Sequence, residues 1–300
     1  MNSLNFSSYN LPFSSNFTPL KKILKGALKD SNHNTSPLNE VLYWDASFLG
    51  LDQVSIFQEA NQSEQFIILQ KANRDLLEEI YWVEHAGVGY MSKMLLLADS
   101  REERMLYSLF AADEATHLSQ IQTFLDKPPI FNGDTFLAFM GEIVESFDKA
   151  LLMTLVQLVL EGWGFSHYRS LAKGCLQQNM ATTLRGFLEA ESRHHAAGVV
   201  TLQEWDYTPE SLESIYYALT EFLQMVQYGP QRLLNAIEQG KGYLSRTNKV
   251  QILEELQTEI YSQQRLDLLR FMMTDSLPPS VLQRLDEQDS FKPFSAQQCV

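Results

Sequence analysis

Two short motifs in this sequence set a carboxylate and an imidazole one helical turn apart. The chain contains two Glu-x-x-His quartets, Glu114–His117 and Glu191–His194. Residues i and i+3 share one face of a helix, so each quartet can direct both side chains toward a common point. Carboxylates and imidazoles together are typical ligands of iron and manganese.

The first quartet lies on an otherwise apolar helix face. Steps of three and four residues from Glu114 meet aromatic or aliphatic neighbours on both sides, namely Tyr107, Phe110, Ile121 and Phe124. An ionised carboxylate in a protein interior costs several kcal/mol when it has no partner. The pattern therefore predicts that a positively charged partner belongs in the core.

Two further glutamates complete a repeated pattern. Glu84 precedes Glu114 by 30 residues and Glu161 precedes Glu191 by 30, so all matching positions are offset by 77. Two independent accidents would rarely agree in register, and the agreement indicates an internal duplication of a helix pair.

The combined set has four carboxylates and two imidazoles, and two divalent cations would neutralise it. Oxygen-rich ligation with few imidazoles favours iron or manganese over structural zinc. The predicted metal ligands are Glu84, Glu114, His117, Glu161, Glu191 and His194.

The elements that position these ligands are predicted to be helices. Apolar residues recur at three- and four-residue spacing and almost no stretch alternates like a strand, so we predict an all-α fold. Ser100 and Glu103 form a capping-box pattern at the start of one helix. The other predicted helices run over 18–29, 66–98, 134–146, 148–173, 178–203, 209–227, 231–239 and 246–274, and a further one is predicted to start in 36–44.

Four regions follow from this organisation. Residues 1–65 are predicted to form an N-terminal extension with short helices, and 66–203 to contain the helices that carry the predicted ligands, for which the resemblance given below implies a four-helix bundle with a dimetal core. Residues 204–274 are predicted as additional helices that pack on the bundle, and 275–300 as a polar tail.

The composition excludes several classes of protein. A formal net charge of −14 argues against nucleic acid as a partner. The only cysteines, Cys175 and Cys299, exclude a disulfide framework and fit a reducing compartment. The start of the sequence lacks the pattern of a signal peptide, and no apolar run is long enough to span a membrane. We therefore expect a cytoplasmic protein.

The ligand pattern resembles that of the ferritin-like di-iron carboxylate proteins. This superfamily includes the ribonucleotide reductase small subunit, bacterial multicomponent monooxygenases, aldehyde-deformylating oxygenase and p-aminobenzoate N-oxygenase. The resemblance covers about 66–203 and implies a four-helix bundle that holds two iron ions, with a manganese–iron pair as an alternative. By the same resemblance, Asp113 would hydrogen-bond the ligand His194, and Arg193 would accompany that histidine as in the monooxygenases.

Two positions separate this chain from particular members. Ile121 stands where the reductase subunit has its radical tyrosine, so radical storage is not expected. Phe187 stands where the N-oxygenase type has an extra histidine ligand, which argues against that specific chemistry.

The resemblance implies an O₂-activating oxygenase or oxidase that acts on a small, partly apolar organic substrate, in a biosynthetic tailoring step. Such an enzyme needs electrons from a ferredoxin or reductase. The alternative is a non-catalytic or peroxide-scavenging iron-binding protein. A homodimer is an open alternative to the monomer.

Two glycines are predicted to mark the substrate pocket. Gly87 and Gly164 each lie three residues after a lone glutamate, and glycine inside a helix costs about 1 kcal/mol relative to alanine. Close helix crossing or space for a ligand could offset this cost. The other predicted pocket residues are Phe165, Tyr107 and Phe110, with core packing as the alternative for Tyr107.

The predicted helix near the N-terminus carries a basic patch of Lys21, Lys22, Lys25 and Lys29. This patch is either a solvated face or a docking surface for an acidic electron donor.

Overall fold

The computed structural model describes residues 18–28, 41–131 and 133–300. Within these ranges the chain forms helices and no strand, which confirms the all-α prediction. The α-helices are α1 (Thr18–Ala27), α2 (Ser55–Gln58), α3 (Gln62–Leu97), α4 (Arg101–Gln122), α5 (Thr135–Glu145), α6 (Lys149–Leu152), α7 (Glu161–Gly174), α8 (Gln178–Gln203), α9 (Pro209–Gln227), α10 (Gln231–Lys241), α11 (Arg246–Glu255), α12 (Thr258–Thr274) and α13 (Pro279–Glu287).

The chain divides into two compact units. The first comprises Leu77–Leu152 with the described residues up to Val41, and the second comprises Leu42–Leu76 and Met153–Val300. The second half of α3 and all of α4 lie in the first unit, whereas α7 and α8 lie in the second. Each unit therefore carries one of the two helix pairs in which the sequence repeats.

In the first unit, α4 begins at a cap that the sequence predicted. The Ser100 side chain accepts a hydrogen bond from the Glu103 backbone N–H at 3.0 Å. The Glu103 carboxylate accepts a hydrogen bond from the backbone N–H of Asp99 at 2.7 Å, whereas a capping box would use the N–H of Ser100. These contacts satisfy amide groups that a helix start leaves without partners, and they fix where α4 begins.

The face of α4 that carries the quartet is buried as predicted. Its buried side chains are Tyr107, Phe110, Glu114, His117 and Ile121. The helix is therefore held in the core by the same stripe that carries the acid and the imidazole.

In the second unit, a π-helical segment, Met153–Leu160, joins α6 to α7. A continuous helix was predicted over 148–173, and the wider turn of this segment is a departure from that prediction. The segment is mostly apolar, all of its residues except Leu160 are buried, and α8, α9 and α12 pack against it. It leads directly into Glu161, the first residue of α7.

The C-terminal part of the second unit also departs from the sequence prediction. The helix predicted over 246–274 is broken at Gln257, which has a φ of 51° and separates α11 from α12. This break follows Leu256, which lies in a buried apolar cluster with Leu253 and Ile252. Both sides of the break bury apolar residues, among them Leu253 in α11 and Leu266 in α12.

The segment 275–300, predicted as a polar tail, contains α13. The buried residues Val281, Leu282 and Leu285 lie on one face of this helix. Ala296 and Cys299 belong to the same buried cluster as Leu256. The description as a tail was wrong because a few apolar residues at helical spacing are enough to dock a short helix.

Among the described helices, none combines the length and the apolar character needed to cross a bilayer.

Candidate metal centre

The first unit brings together three of the predicted ligands, which we call the first ligand set. Glu84 lies on α3, and Glu114 and His117 lie on α4. Their exposed fractions are between 1% and 5%, and each offers one ligand atom within 4.8 Å of the others. Three buried polar side chains at this spacing can hold a metal ion.

Two contacts define the geometry of the first ligand set. Nδ1 of His117 lies 3.1 Å from Oε2 of Glu84, within hydrogen-bonding distance. The Glu114 carboxylate lies directly against the backbone of Gly87, where an added Cβ would be 2.8 Å from Cδ of Glu114 and closer still to Oε2. Since Cβ atoms essentially never approach other atoms so closely, the glycine makes room for this carboxylate.

The second unit brings together the other three predicted ligands, the second ligand set. Glu161 begins α7, and Glu191 and His194 lie on α8. Their exposed fractions are 9%, 4% and 0%, and their ligand atoms also lie within 4.8 Å of one another. Nδ1 of His194 lies 3.7 Å from Oε2 of Glu161, which is beyond hydrogen-bonding distance.

The two ligand sets repeat at the level of atoms. In each, Nδ1 of the quartet histidine faces Oε2 of the lone glutamate, and the residues involved are offset by 77 positions. In each, two carboxylates and one neutral imidazole carry a formal charge of −2, which one divalent cation balances. The donor sets fit iron or manganese, because hard oxygen ligands predominate over nitrogen.

The π-helical segment is tied to α8 beside the second ligand set. The Gln157 side chain donates to the carbonyl of His194 at 3.1 Å, and Nδ1 of His195 lies 3.0 Å from the carbonyl of Gln157. Gly198 permits the close approach, since an added Cβ would lie 2.5 Å from Cβ of Gln157. These contacts fix the position of α8 relative to the residues that precede Glu161.

Sequence reasoning missed these contacts of Gln157, His195 and Gly198, which we call the clamp on the π-helical segment. His195 makes a polar contact between α8 and the π-helical segment. The available signal was a polar residue, Gln157, inside the most apolar run of the chain, together with Gly198 in the middle of a helix.

The two predicted pocket glycines differ from each other. The Glu114 carboxylate fills the space at Gly87, whereas a Cβ added to Gly164 would meet nothing within 4 Å. Phe165, next to Gly164, is half-buried, and the guanidinium of Arg169 lies over its ring at 4.5 Å. Only Gly164 therefore faces open space, and the prediction that Gly87 lines a pocket finds no space there.

The remaining predicted site residues have these surroundings. Tyr107 and Phe110 are buried on α4 in an edge-to-face pair with ring centroids 5.9 Å apart. Asp113 is half-buried beside Glu114, and its predicted bond to His194 stays a prediction. Arg193 is exposed and donates to Glu189 on its own helix at 3.0 Å.

The two positions at which the sequence departs from the motifs it resembles are core residues. Ile121 is fully buried on α4. Phe187 is fully buried on α8, in an edge-to-face contact with Tyr168 at 5.6 Å. Both therefore pack in the core without offering a ligand atom.

Comparison of the chain with protein-family models, with curated protein sequences and with solved structures gave no match. The function is therefore inferred from the residues and their geometry alone.

Proposed function

We propose that this chain is a ferritin-like dimetal oxidoreductase that oxidises a small, partly apolar organic substrate with O₂. The observation that carries the proposal is the repeated ligand set, with the same residue types, the same facing atoms and a constant offset of 77 positions. Buried ionic groups that serve only packing have no reason to keep such a repeat.

In this proposal, each ligand set holds one iron ion, and a manganese–iron pair is the alternative metal content. Glu84, Glu114 and His117 hold one ion, and Glu161, Glu191 and His194 hold the other. Iron, when bound, supplies reversible one-electron chemistry and the ability to activate O₂. Burial of the ligands keeps bulk water away from them and raises the cost of leaving them without metal.

Electrons for such a reaction come from a separate protein. Iron–sulfur clusters are held mainly by groups of cysteines, and this chain has two cysteines, Cys175 and Cys299. A ferredoxin or a reductase is therefore the proposed donor.

Open space at Gly164 supports a catalytic role over iron storage. Gly164 lies three residues after the ligand Glu161, roughly one helical turn away on a similar face. We place part of the substrate there, beside Phe165, because a Cβ added at Gly164 would meet no atom within 4 Å. The aromatic neighbour favours an apolar portion of the substrate.

Substrate-dependent O₂ uptake tests the proposal. Iron-loaded protein is supplied with ferredoxin, ferredoxin reductase and NADPH, and O₂ consumption is followed with a panel of aliphatic and aromatic acids, amines and alcohols. We expect at least one compound to raise O₂ consumption above the rate without substrate, and the corresponding oxidised product to accumulate.

The matched variants are Glu191→Ala, which removes a ligand, and Glu189→Ala, which removes an exposed acid two residues earlier on α8. Only Glu191→Ala should abolish the stimulated uptake. If no compound stimulates uptake while hydrogen peroxide rapidly oxidises the bound iron, the peroxide-scavenging alternative is correct and the oxygenase proposal is wrong.

A further inference from the structure

Helix α1 has two chemically opposite faces. Leu20, Ile23 and Leu24 lie on one side, and Lys21, Lys22 and Lys25 lie on the other, as the 100° step of a helix requires. The helix contains no acidic residue. It is thus a basic amphipathic helix in a chain whose net charge is −14.

The apolar face of α1 is exposed. The exposed fractions of Leu20, Ile23 and Leu24 are 49%, 70% and 53%. A helix of 10 residues is marginal in water, and most helices of this length are stabilised by burying an apolar face. An exposed face of three large aliphatic side chains therefore indicates a binding surface.

We propose that α1 binds the surface of an anionic membrane, lying in the plane of the lipid headgroups. The leucine and isoleucine side chains enter the boundary between headgroups and acyl chains, while the lysine side chains extend to the lipid phosphates. The helix lies at one depth along its whole length. The positive charge of α1 is complementary to anionic lipid, and it is concentrated, because Lys21, Lys22 and Lys25 fall within five consecutive residues. Lys29, the fourth lysine of the predicted patch, lies outside the described residues.

A groove on a partner protein fits this helix less well. A helix that docks in a groove presents large anchors at positions i, i+3 or i+4, and i+7. Counting from Leu20, the i+7 position is Ala27, whose methyl group makes a poor anchor. A flat lipid surface needs no third anchor, and its anionic headgroups are complementary to the positive charge of the lysines.

The acidity of the whole chain sets the expected strength of binding. Charges separated by more than about 10 Å are largely screened at 0.1 M salt, so the lysines of α1 act locally despite the net charge. With three large apolar side chains and a few lysines, binding should be reversible, specific for anionic lipid and sensitive to salt.

Co-sedimentation of the full chain with lipid vesicles tests this inference, which is independent of the oxidoreductase proposal. Vesicles of phosphatidylcholine are compared with vesicles that also contain phosphatidylglycerol. We expect binding to the second kind only, and release by high salt. Absence of binding to anionic vesicles would overturn the inference.

Three variants locate the contact. Ile23→Asp removes the most exposed apolar residue of α1, and the double variant Lys21→Glu/Lys25→Glu reverses two charges. Each should lower binding at least tenfold. In the double variant, each lysine contributes about fivefold and its replacement adds repulsion. In Ile23→Asp, an apolar side chain that enters the acyl boundary is replaced by a negative charge. Leu109→Asp, at a residue of α4 that is 65% exposed, is the matched control and should bind as wild type.

If Ile23→Asp binds vesicles as well as wild type, or if Leu109→Asp loses binding to the same degree, α1 is not the membrane contact. If vesicles do not bind but an immobilised ferredoxin retains the wild-type chain and not the double lysine variant, α1 docks the electron donor, and the inference is wrong.

Discussion

At the residue scale, Gly87 and Gly164 show how one repeated sequence feature can serve two different ends. Both glycines follow a lone glutamate by three residues, and the repeat predicts equal roles for them. In the structure, Gly87 admits the carboxylate of Glu114, whereas Gly164 leaves open space. The difference comes from the neighbouring helix in each pair, which the spacing of glycines does not report.

Substitution by alanine should separate the two glycines. Gly87→Ala places a methyl group against Glu114, so we expect loss of metal affinity in the first ligand set. Gly164→Ala meets no atom within 4 Å, and it should raise the free energy of unfolding by up to about 1 kcal/mol through helix propensity. Iron titration and thermal unfolding of both variants measure these effects. Equal metal affinity in Gly87→Ala and wild type would contradict this account.

A larger side chain at Gly164 tests whether the open space holds the substrate. Gly164→Leu should retain both metal ions and the fold while it abolishes substrate-stimulated O₂ uptake, because the leucine fills the space beside Phe165. The alanine variant is the control, and it should retain most of the activity. Normal uptake in Gly164→Leu would show that the substrate binds elsewhere.

At the element scale, the main feature that the sequence does not reveal is the π-helical segment Met153–Leu160. An apolar run of this length predicts a buried helix, but it does not distinguish an α-helix from a π-helix, because a run that is apolar on nearly all sides is buried in either conformation. In the structure this segment contacts α8 through Gln157, His195 and Gly198.

The clamp on the π-helical segment should support the second ligand set alone. His195→Ala removes the bond to the Gln157 carbonyl, and we expect a loss of about 1 kcal/mol in the free energy of unfolding. Iron affinity of the second ligand set should fall, while the first ligand set is unaffected. His195→Asn offers an amide N–H near the position of Nδ1 and should restore both properties. If the asparagine variant behaves like the alanine variant, the bond has no positioning role.

The connection between α8 and α9 makes a pH-dependent contact. Tyr207 donates to the carbonyl of Ser276 at 3.4 Å, and burial raises the pKa of Tyr207 to about 12. Its ordinary pKa is near 10, so the folded chain holds this proton more tightly than the unfolded chain. The resulting stability is complete below about pH 10 and is lost as the pH rises through about 12.

Replacement of Tyr207 by phenylalanine should flatten this dependence. Wild type should lose at most about 2 kcal/mol more than Tyr207→Phe between pH 9 and pH 12, because the phenol is only partly buried. Urea unfolding of both proteins across this range gives the difference. Parallel pH curves for the two proteins would show that the phenol does not contribute.

At the scale of the whole molecule, the sequence predicted the helical class, most helix boundaries and the burial of all six proposed ligands. These features follow from the periodicity of apolar residues and from an internal repeat, and both are local in the sequence. The break at Gln257 and the docking of α13 depend on contacts between distant segments, such as that of Ala296 and Cys299 with Leu256. Local periodicity carries no information on those contacts.

The clustering of buried carboxylates and imidazoles was predictable for a similar reason. A buried acid on an apolar helix face costs free energy. The sequence places a glutamate on such a face at four positions, which form two pairs offset by 77 residues. The asymmetry of the glycines and the clamp at Gln157 were not predictable, because each depends on how closely two helices approach.

Anaerobic titration with isotopically enriched Fe(II), followed by Mössbauer spectroscopy, tests the central claim most directly. The wild-type chain should bind about two iron ions, and these should become a magnetically coupled pair on oxidation. Glu114→Ala should reduce the content to about one, whereas Glu102→Ala, at an exposed acid on the same helix, should leave it unchanged. One iron per wild-type chain, two uncoupled irons, or full binding by Glu114→Ala would contradict the dimetal centre.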